Sequence, residues 1–530
     1  MNPNQLNIRN VRKLIQSVAA AMMLLVAQAA VAQARYISAD FDDVKGAKSE
    51  TYFKCIGAGR ANEGLRADWQ RQMVDVQANF PYEYIRFHGL FHDDMGVLTK
   101  NEKGEMVYNF QYIDELYDFL LSVGIKPFVE LSFMPEPLKS GEETIFWWKG
   151  NITPANSQEE WGKLIDKFVR HLTARYGEKE VESWYFEVWN EPNLNFFFTG
   201  TQEQYFEMYA TTARAIKAID EDYRVGGPAT AGNAWITPLV DYAKANNVAC
   251  DFITTHTYGV HGAGLDEFGV QQLRMNLNAF AVYDDVMKSR NEMNGIGKQD
   301  MELHYTEWNT SYSPKDLTHD TYFNAAYVLN TLRYTDEAAQ SMSYWTFTDI
   351  FEEAGVPTSP FHGGFGLINL QGLRKPTYFA YKYLYELGET ELTNSDKQSW
   401  VCKDDDGSIQ VLAYNVTMPT YGEKDFNNTI FAVERIPAHL EPINVSLSNI
   451  PDGTYRLEVY YTGYKQNDIQ TAWIELGSPN ILLPAQEETL RLASLNTPQT
   501  LEVITIKDGS FSQSFPMREN DVCFIKLTPQ

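Results

Sequence analysis

The feature that most constrains this chain is an alternation that continues to about residue 390. Short apolar runs of β type are each followed by a longer segment with helical spacing. The predicted strands are 53–57, 84–87, 126–131, 184–189, 224–226, 252–255, 302–306 and 342–347. The predicted helices are 64–79, 112–123, 158–176, 202–220, 235–246, a region near 269–294, 321–335 and 377–387. Eight strand–helix units in succession predict an α/β chain closed into a (β/α)₈ barrel, which buries every strand and leaves no sheet edge. An open doubly wound sheet is the alternative, and it would carry a Gly-rich phosphate loop after its first strand. That stretch reads Gly57-Ala58-Gly59-Arg60-Ala61-Asn62-Glu63-Gly64, with the last glycine five residues after Gly59 rather than three, and is taken as a turn.

From about residue 391 the rhythm changes. Segments 409–415, 443–447, 453–462 and 501–506 read as strands. In the third, Tyr455, Leu457, Val459 and Tyr461 alternate with Arg456, Glu458 and Tyr460, as in a half-buried strand. Pro451-Asp452-Gly453 and Asp508-Gly509 supply turns, and 484–495 has helical spacing. The expected organisation is a barrel over 33–390 and a β-sandwich over 391–530. Residues 35–41 are a candidate extra strand of the sandwich. With no surface stripe of Trp evident, the second domain reads as support for the barrel rather than a binding module.

Residues 1–32 carry Arg9, Arg12 and Lys13, then an apolar run from Val18 to Ala27, then Ala30-Val31-Ala32. A basic start, a short apolar core and a small-x-small site predict a cleavable signal peptide, cut after Ala32. The apolar core is half the ~20 residues a spanning helix needs, so no membrane attachment is expected after cleavage. The expected location is the periplasm or the medium. Four well-separated cysteines, Cys55, Cys250, Cys402 and Cys523, form neither a zinc ribbon nor a C-x-x-C redox pair and read as buried thiols. A net charge of −26 argues against nucleic acid as a partner, because phosphate contacts need a basic surface. Nothing in the sequence fixes the oligomeric state, and a homo-oligomer stays open.

Barrels place reacting groups at the C-terminal ends of their strands. Strand two ends in Arg86-Phe87-His88, strand four runs into Asn190-Glu191-Pro192, strand six into His256-Thr257-Tyr258, and strand seven into Glu307-Trp308-Asn309. Strand eight runs through Trp345 towards Glu352 and Glu353. Glu191 and Glu307 therefore share one rim. Two carboxyls facing across a pocket are what glycoside hydrolysis requires, one protonated to help the leaving oxygen, one ionised to attack the sugar carbon. Desolvation and mutual repulsion separate their pKa values. Taken singly, a strand-end Glu is more often solvated or paired with Arg. His88 and His256 have a bland reading as satisfied rim histidines, and Trp345 as barrel core. His88, His92, Asp93 and Asp94 match neither an H-E-x-x-H helix nor a calcium loop, so no metal is expected. G-x-S-x-G is absent, and no Ser-His-Asp or Cys-His arrangement is recognisable.

These segments resemble glycoside hydrolase family 39, the family of β-xylosidases and α-L-iduronidases. Tyr185-Phe186-Glu187-Val188-Trp189-Asn190-Glu191-Pro192-Asn193-Leu194 resembles its acid/base motif, and Thr306-Glu307-Trp308-Asn309-Thr310-Ser311-Tyr312 its nucleophile segment. Residues 84–94, 146–151, 343–353 and 518–522 are similar to further segments of the family, so the likeness covers nearly all of the mature chain. The resemblance implies Glu191 as general acid/base and Glu307 as nucleophile of a retaining double displacement, with the carboxyls ~5–5.5 Å apart. It implies that Asn190 binds the sugar 2-hydroxyl and that His88, His256, Tyr258, Trp345 and Glu353 line the innermost subsite. Phe146 and Trp147 would shape the entrance. No cofactor is implied.

The expected substrate is a β-1,4-linked xylo-oligosaccharide, cut from its non-reducing end. The alternatives are an α-L-iduronidase, β-glucosidase, β-galactosidase or α-L-arabinosidase of the same family, or a barrel that binds carbohydrate without cutting it. An iduronidase needs a cation for the substrate carboxylate. After strand two the strand-end motifs offer only Lys149, which favours a neutral sugar.

Overall fold

The computed structural model describes residues 34–266 and 269–530. The expected signal peptide and its cleavage site lie outside the described residues. Eight parallel strands form a closed barrel: Cys55–Arg60, Tyr84–His88, Lys126–Leu131, Tyr185–Val188, Arg224–Ala231, Phe252–Tyr258, Glu302–Asn309 and Ser341–Tyr344. Each pairs with the next in chain order, and the last closes on the first through Tyr344 and Ile56. The outer ring contains Ala67–Asn79, Gln111–Ser122, Gln158–Tyr176, Gln202–Lys217, Ile236–Ala245, Ala281–Gly295, Tyr322–Thr335 and Pro376–Tyr385. The third of these shows why they sit where they do. Ser157 caps its start by accepting from the Glu160 N–H, and Gly177 at φ +87° ends it. Between them Trp161, Leu164, Ile165, Phe168, Val169 and Leu172 form one buried stripe.

Two expectations are corrected. The region 269–294 is not one helix: Val260–Leu265 and Gln271–Met275 pair as an antiparallel hairpin, and the helix begins only at Ala281. Leu273 and Met275 are buried while Arg274 between them is only half-buried, a period of two that favours strand. Gly57 and Gly59 are not in a turn but in the first barrel strand, and a short 3₁₀ helix follows at Ala61–Leu65. They are glycines because neighbours occupy the space. A Cβ on Gly57 would lie 2.5 Å from the Trp345 ring, and one on Gly59 would collide with the Glu63 carboxyl.

The second unit is a nine-stranded, mostly antiparallel sheet that wraps around its own core of Ile37, Val401, Val411, Val445, Leu457 and Ile525. Arg35–Ala47 runs within it, parallel to His439–Ser448 and antiparallel to Thr390–Asn394. The other face packs on the barrel. Trp400, Leu412, Tyr414 and Phe524 join the barrel's apolar core, with Phe524 stacked on Tyr383 at 5.0 Å. Sequence reading missed the strands Thr390–Asn394, Ser399–Lys403, Phe511–Arg518 and Val522–Pro529. None of the four cysteines is in a disulfide. Among the described residues no helix is long and apolar enough to cross a membrane.

Candidate active site

Successive layers of side chains fill the barrel. At the N-terminal end Cys55, Tyr84, Phe128, Tyr185 and Phe252 form an apolar floor. One pleat higher, on three of the same strands, stand Arg86, Glu130 and Glu187, all buried. Arg86 organises the layer. Its Nε donates to Glu187 (2.8 Å), and its terminal nitrogens reach Glu130 (2.8 Å), Asn190 Oδ1 (2.9 Å) and Glu307 Oε1 (2.5 Å). Burial opposes the charge on Arg86, but Glu130, Glu187 and Glu307 outweigh it and raise its pKa. A lone guanidinium is never released into this interior; three carboxylates fix it in a planar fork.

The next layer opens into a cavity of about 590 Å³, whose wall includes Glu191, Glu307, His88, His256, Tyr258, Trp345 and Glu353. A register shift after Thr255 sets His256 beside Glu307 on the adjacent strand. Glu307 accepts from Arg86 on one oxygen and from the Tyr258 hydroxyl (2.7 Å) on the other. Burial, then the charges of Glu307 and Glu191, push the Tyr258 phenol far up, so it stays a donor. Glu191 sits just past strand four at φ +44°, following Trp189 at φ +70°. These are uncommon conformations for L-residues, costing about 1–3 kcal/mol each. Glu191 N–H to Ala229 C=O (2.7 Å) and the Asn193 side chain on both polar groups of Ala231 hold the turn in place. They aim the Glu191 carboxyl into the cavity.

Nearest side-chain atoms of Glu191, His256 and Glu307 lie within 4.8 Å of one another. That is close enough to converge on a single cation. The donors are already engaged, however, since Glu307 holds a guanidinium and Glu191 holds His256 Nδ1 at 2.9 Å. The neighbouring positive charge disfavours a metal there. Burial pushes the Glu191 carboxyl up to about 7, with Glu130 adding to the rise and His88 and Arg86 opposing it. Burial pushes His256 down to about 4, although Glu307 resists, so its imidazole is neutral. Burial and then the charges of Glu307, Glu63, Glu191 and Glu130 raise Glu353 well above the usual carboxylate range.

Two polar atoms on this rim make no hydrogen bond within the protein: Asn190 Nδ2 and Glu353 Oε1. His88 gives Nδ1 to Glu130 (2.6 Å) and holds Nε2 at 3.5 Å from both Glu307 and Glu353. Trp345 is 2% exposed, beneath the cavity, with its ring 4.8 Å from His88. Phe146 is in the wall and stacks on His88 at 6.0 Å. Trp147 is outside the cavity wall. It is 60% exposed, and its N–H donates to the Glu353 carbonyl (2.8 Å), so its backbone, not its ring, meets the site. Sequence reading gave no role to Arg86, Glu130, Glu187 or Thr306. The available signal was a charge at the centre of an apolar strand, as in Tyr84-Ile85-Arg86-Phe87 and Phe128-Val129-Glu130-Leu131. It also missed the outer wall of Leu194, Phe196, Phe197 and Tyr312.

Comparison with known proteins agrees with this geometry. Residues 40–510 match the model for "Glycosyl hydrolases family 39". The chain is 41% identical over 453 residues to a beta-xylosidase of Caldicellulosiruptor saccharolyticus, covering 85% of this chain and 89% of that one. It is 35% identical over 483 residues to a beta-xylosidase of Geobacillus stearothermophilus, covering 89% and 92%. A monomeric beta-xylosidase from Caulobacter crescentus CB15 superposes with a TM-score of 0.91 at 43% identity, covering 94% of this chain and all of that one. The match to the family model over residues 40–510 and to beta-xylosidases over most of the chain places it in glycosyl hydrolases family 39, as a glycoside hydrolase.

Proposed function

We propose that the protein is an exo-acting β-xylosidase, releasing xylose from the non-reducing end of β-1,4-xylo-oligosaccharides with retention of configuration. The observation that carries this reading is the approach of Glu191 and Glu307 to within 4.8 Å with unlike surroundings. Separations near 5 Å leave no room for a water between carboxyl and sugar, which favours direct attack over inversion. Glu307, held by Arg86 and Tyr258, is the nucleophile. Glu191, whose pKa of about 7 keeps it largely protonated in mildly acidic solution, is the acid.

In the first half-reaction Glu191 gives its proton to the glycosidic oxygen as Glu307 attacks the anomeric carbon. The C–O bond to the leaving sugar breaks and a glycosyl ester forms on Glu307. In the second, Glu191 removes a proton from water, whose oxygen attacks the same carbon and frees Glu307. Asn190 donates its unpartnered Nδ2–H to the 2-hydroxyl, a bond that strengthens as positive charge builds on the ring. Glu353 accepts from sugar hydroxyls, His88 and His256 complete the polar wall, and Trp345 and Phe146 supply apolar faces.

A neutral sugar is supported over an iduronide, because among the described residues lining the cavity none is Arg or Lys. The β-xylosidase relatives, which match this chain nearly end to end, support xylose. Export to the periplasm or medium is proposed on the N-terminal segment, and a mature protein beginning at Gln33 is the expected result of N-terminal sequencing. The activity is tested with p-nitrophenyl β-xyloside, β-glucoside, β-galactoside, α-arabinoside and α-iduronide. Turnover of the β-xyloside is expected, abolished in Glu307→Ala and restored to Glu191→Ala by azide. Preferential turnover of another glycoside would overturn the sugar assignment. No turnover of any would overturn the enzymatic reading.

A further inference from the structure

The hydrogen bonds behind the acid/base carboxyl fix where its proton sits. Thr306 is buried on strand seven, and its hydroxyl donates to Glu187 Oε1 at 2.7 Å. Glu187 is an acceptor there, because its other oxygen receives Arg86 Nε at 2.8 Å. A threonine hydroxyl has one proton, and this one is committed. The nitrogen of His256 facing Thr306, Nε2 at 3.2 Å, must therefore be the donor of that contact. A neutral imidazole carries only one N–H. Nδ1 is then a bare lone pair, and it lies 2.9 Å from Glu191 Oε1. Two acceptors at that distance are compatible only if the carboxyl is the acid form and donates.

We propose that Thr306 is a positioning residue which, by giving its proton to Glu187, locks His256 as the Nε2–H tautomer and thereby holds the reactive proton on Glu191. The inference rests on the reading of Glu191 as acid/base and adds to burial a second cause of its protonation, a chain running Arg86–Glu187–Thr306–His256–Glu191. The same arrangement serves the second half-reaction. Once Glu191 has lost its proton it faces the imidazole lone pair rather than an N–H, which makes it a stronger base towards water. The charged and titratable groups facing the pair from other elements are Arg86 and His88 on strand two, Glu130 on strand three, Glu187 on strand four, Glu307 on strand seven and Glu353 beyond strand eight. Thr306, at His256 Nε2, is the contact that dictates the tautomer.

Replacing the hydroxyl by a methyl, Thr306→Val, removes the acceptor at Nε2. The imidazole is then free to place its proton on Nδ1 and hydrogen-bond the Glu191 carboxylate. The alkaline limb of kcat/KM on xylobiose is expected to move to lower pH by about one unit, because a hydrogen bond to the charged form lowers an acid's pKa. Thr306→Ser should restore the wild-type limb. The tautomer itself is read in the wild-type protein from ¹⁵N-histidine NMR, with the His256 signals assigned by their loss in His256→Gln. Protonation at Nε2 with a hydrogen-bonded bare Nδ1 is the expected result. A proton on Nδ1, or a Thr306→Val enzyme slowed with an unmoved limb, would overturn the proposal. If Glu191→Ala keeps its rate on xylobiose, the acid/base reading fails instead. The NMR result still decides the tautomer in that case, and also if Thr306→Val does not fold.

Discussion

The two ends of the barrel are built from the same strands and solve opposite problems. At the N-terminal end Phe128 stacks on Tyr185 at 4.7 Å, and Tyr84, Phe252 and His304 meet these rings edge-on. The Tyr84 hydroxyl donates to the Ser183 carbonyl (2.7 Å), and Arg224, whose Nε makes no hydrogen bond, lays its guanidinium 3.6 Å over the Tyr185 ring. At the C-terminal end Arg86 gathers three carboxylates, Trp189, Glu191 and Ala229 are among the residues at positive φ, and Asn190 Nδ2 and Glu353 Oε1 make no hydrogen bond within the protein. The floor is optimised for packing. The mouth keeps unmet hydrogen bonds, and one acid near pH 7, that a bound sugar would satisfy. Stability and chemistry are thus divided along the barrel axis, with the Arg86 layer as the boundary between them.

The sharpest way to break this division is Glu307→Ala. It should lower kcat on aryl xylosides by about 10⁴-fold or more, equivalent to over ~5 kcal/mol of barrier, while the unfolding midpoint stays near wild type. A large loss of stability together with activity would show that the mouth, too, is structural. Arg86→Met attacks the boundary. It leaves Glu130, Glu187 and Glu307 buried without their counter-charge, and about 3–5 kcal/mol should be lost in urea denaturation, along with activity. Phe128→Ala should cost about 3–4 kcal/mol at the floor, through a cavity, and leave kcat/KM of the folded enzyme within a few-fold. A specific fall in kcat there would contradict the separation of the two ends.

The smallest predicted effect has the opposite sign. The Glu191 carboxyl titrates at about 7 in the folded protein, against an ordinary 4.5. Between those values the folded state binds more protons than the unfolded one, so stability falls as pH rises, and the full penalty stands above pH 7. Glu191→Gln removes that penalty. It should stabilise the protein by about 2–3 kcal/mol at pH 8 and by almost nothing at pH 4 while abolishing turnover of poor leaving groups. The same pKa places the alkaline fall of kcat/KM in the wild type near pH 7, because the acid must be protonated in the free enzyme.

The sequence made the barrel legible because each unit repeats a strand period followed by a helix period, and a closed barrel needs all eight. Lys126–Leu131 and Gln158–Tyr176 end where the pattern ends. That Glu191 and Glu307 meet in one cavity was legible because both lie at strand ends of one barrel rim. The hairpin after strand six was hidden by glycines and mixed polarity, which weaken both periods at once. Phe511–Arg518 was hidden because a polar, half-buried Gln513 stands on the inward face between Phe511 and Phe515 and interrupts the apolar alternation. Gly57 and Gly59 read as a turn because the reason for them lies about 290 residues away, in the ring of Trp345 and the loop of Glu352 that Glu63 holds. Arg86, Glu130 and Glu187 break the apolar pattern of their strands, yet only the closed barrel shows that they neutralise one another. The role of Thr306 depends on the position of a single proton and has no sequence signature.

In the proposed mechanism Glu307 attacks the sugar with Glu191 as its acid partner. The most direct test is to inactivate the enzyme with 2,4-dinitrophenyl 2-deoxy-2-fluoro-β-xyloside, digest it with pepsin, and locate the adduct by mass spectrometry. One fluoroxylosyl group per chain, carried as an ester on Glu307, is the predicted result. An adduct on Glu353 or Glu191, or active-site saturation without any covalent adduct, would contradict the account.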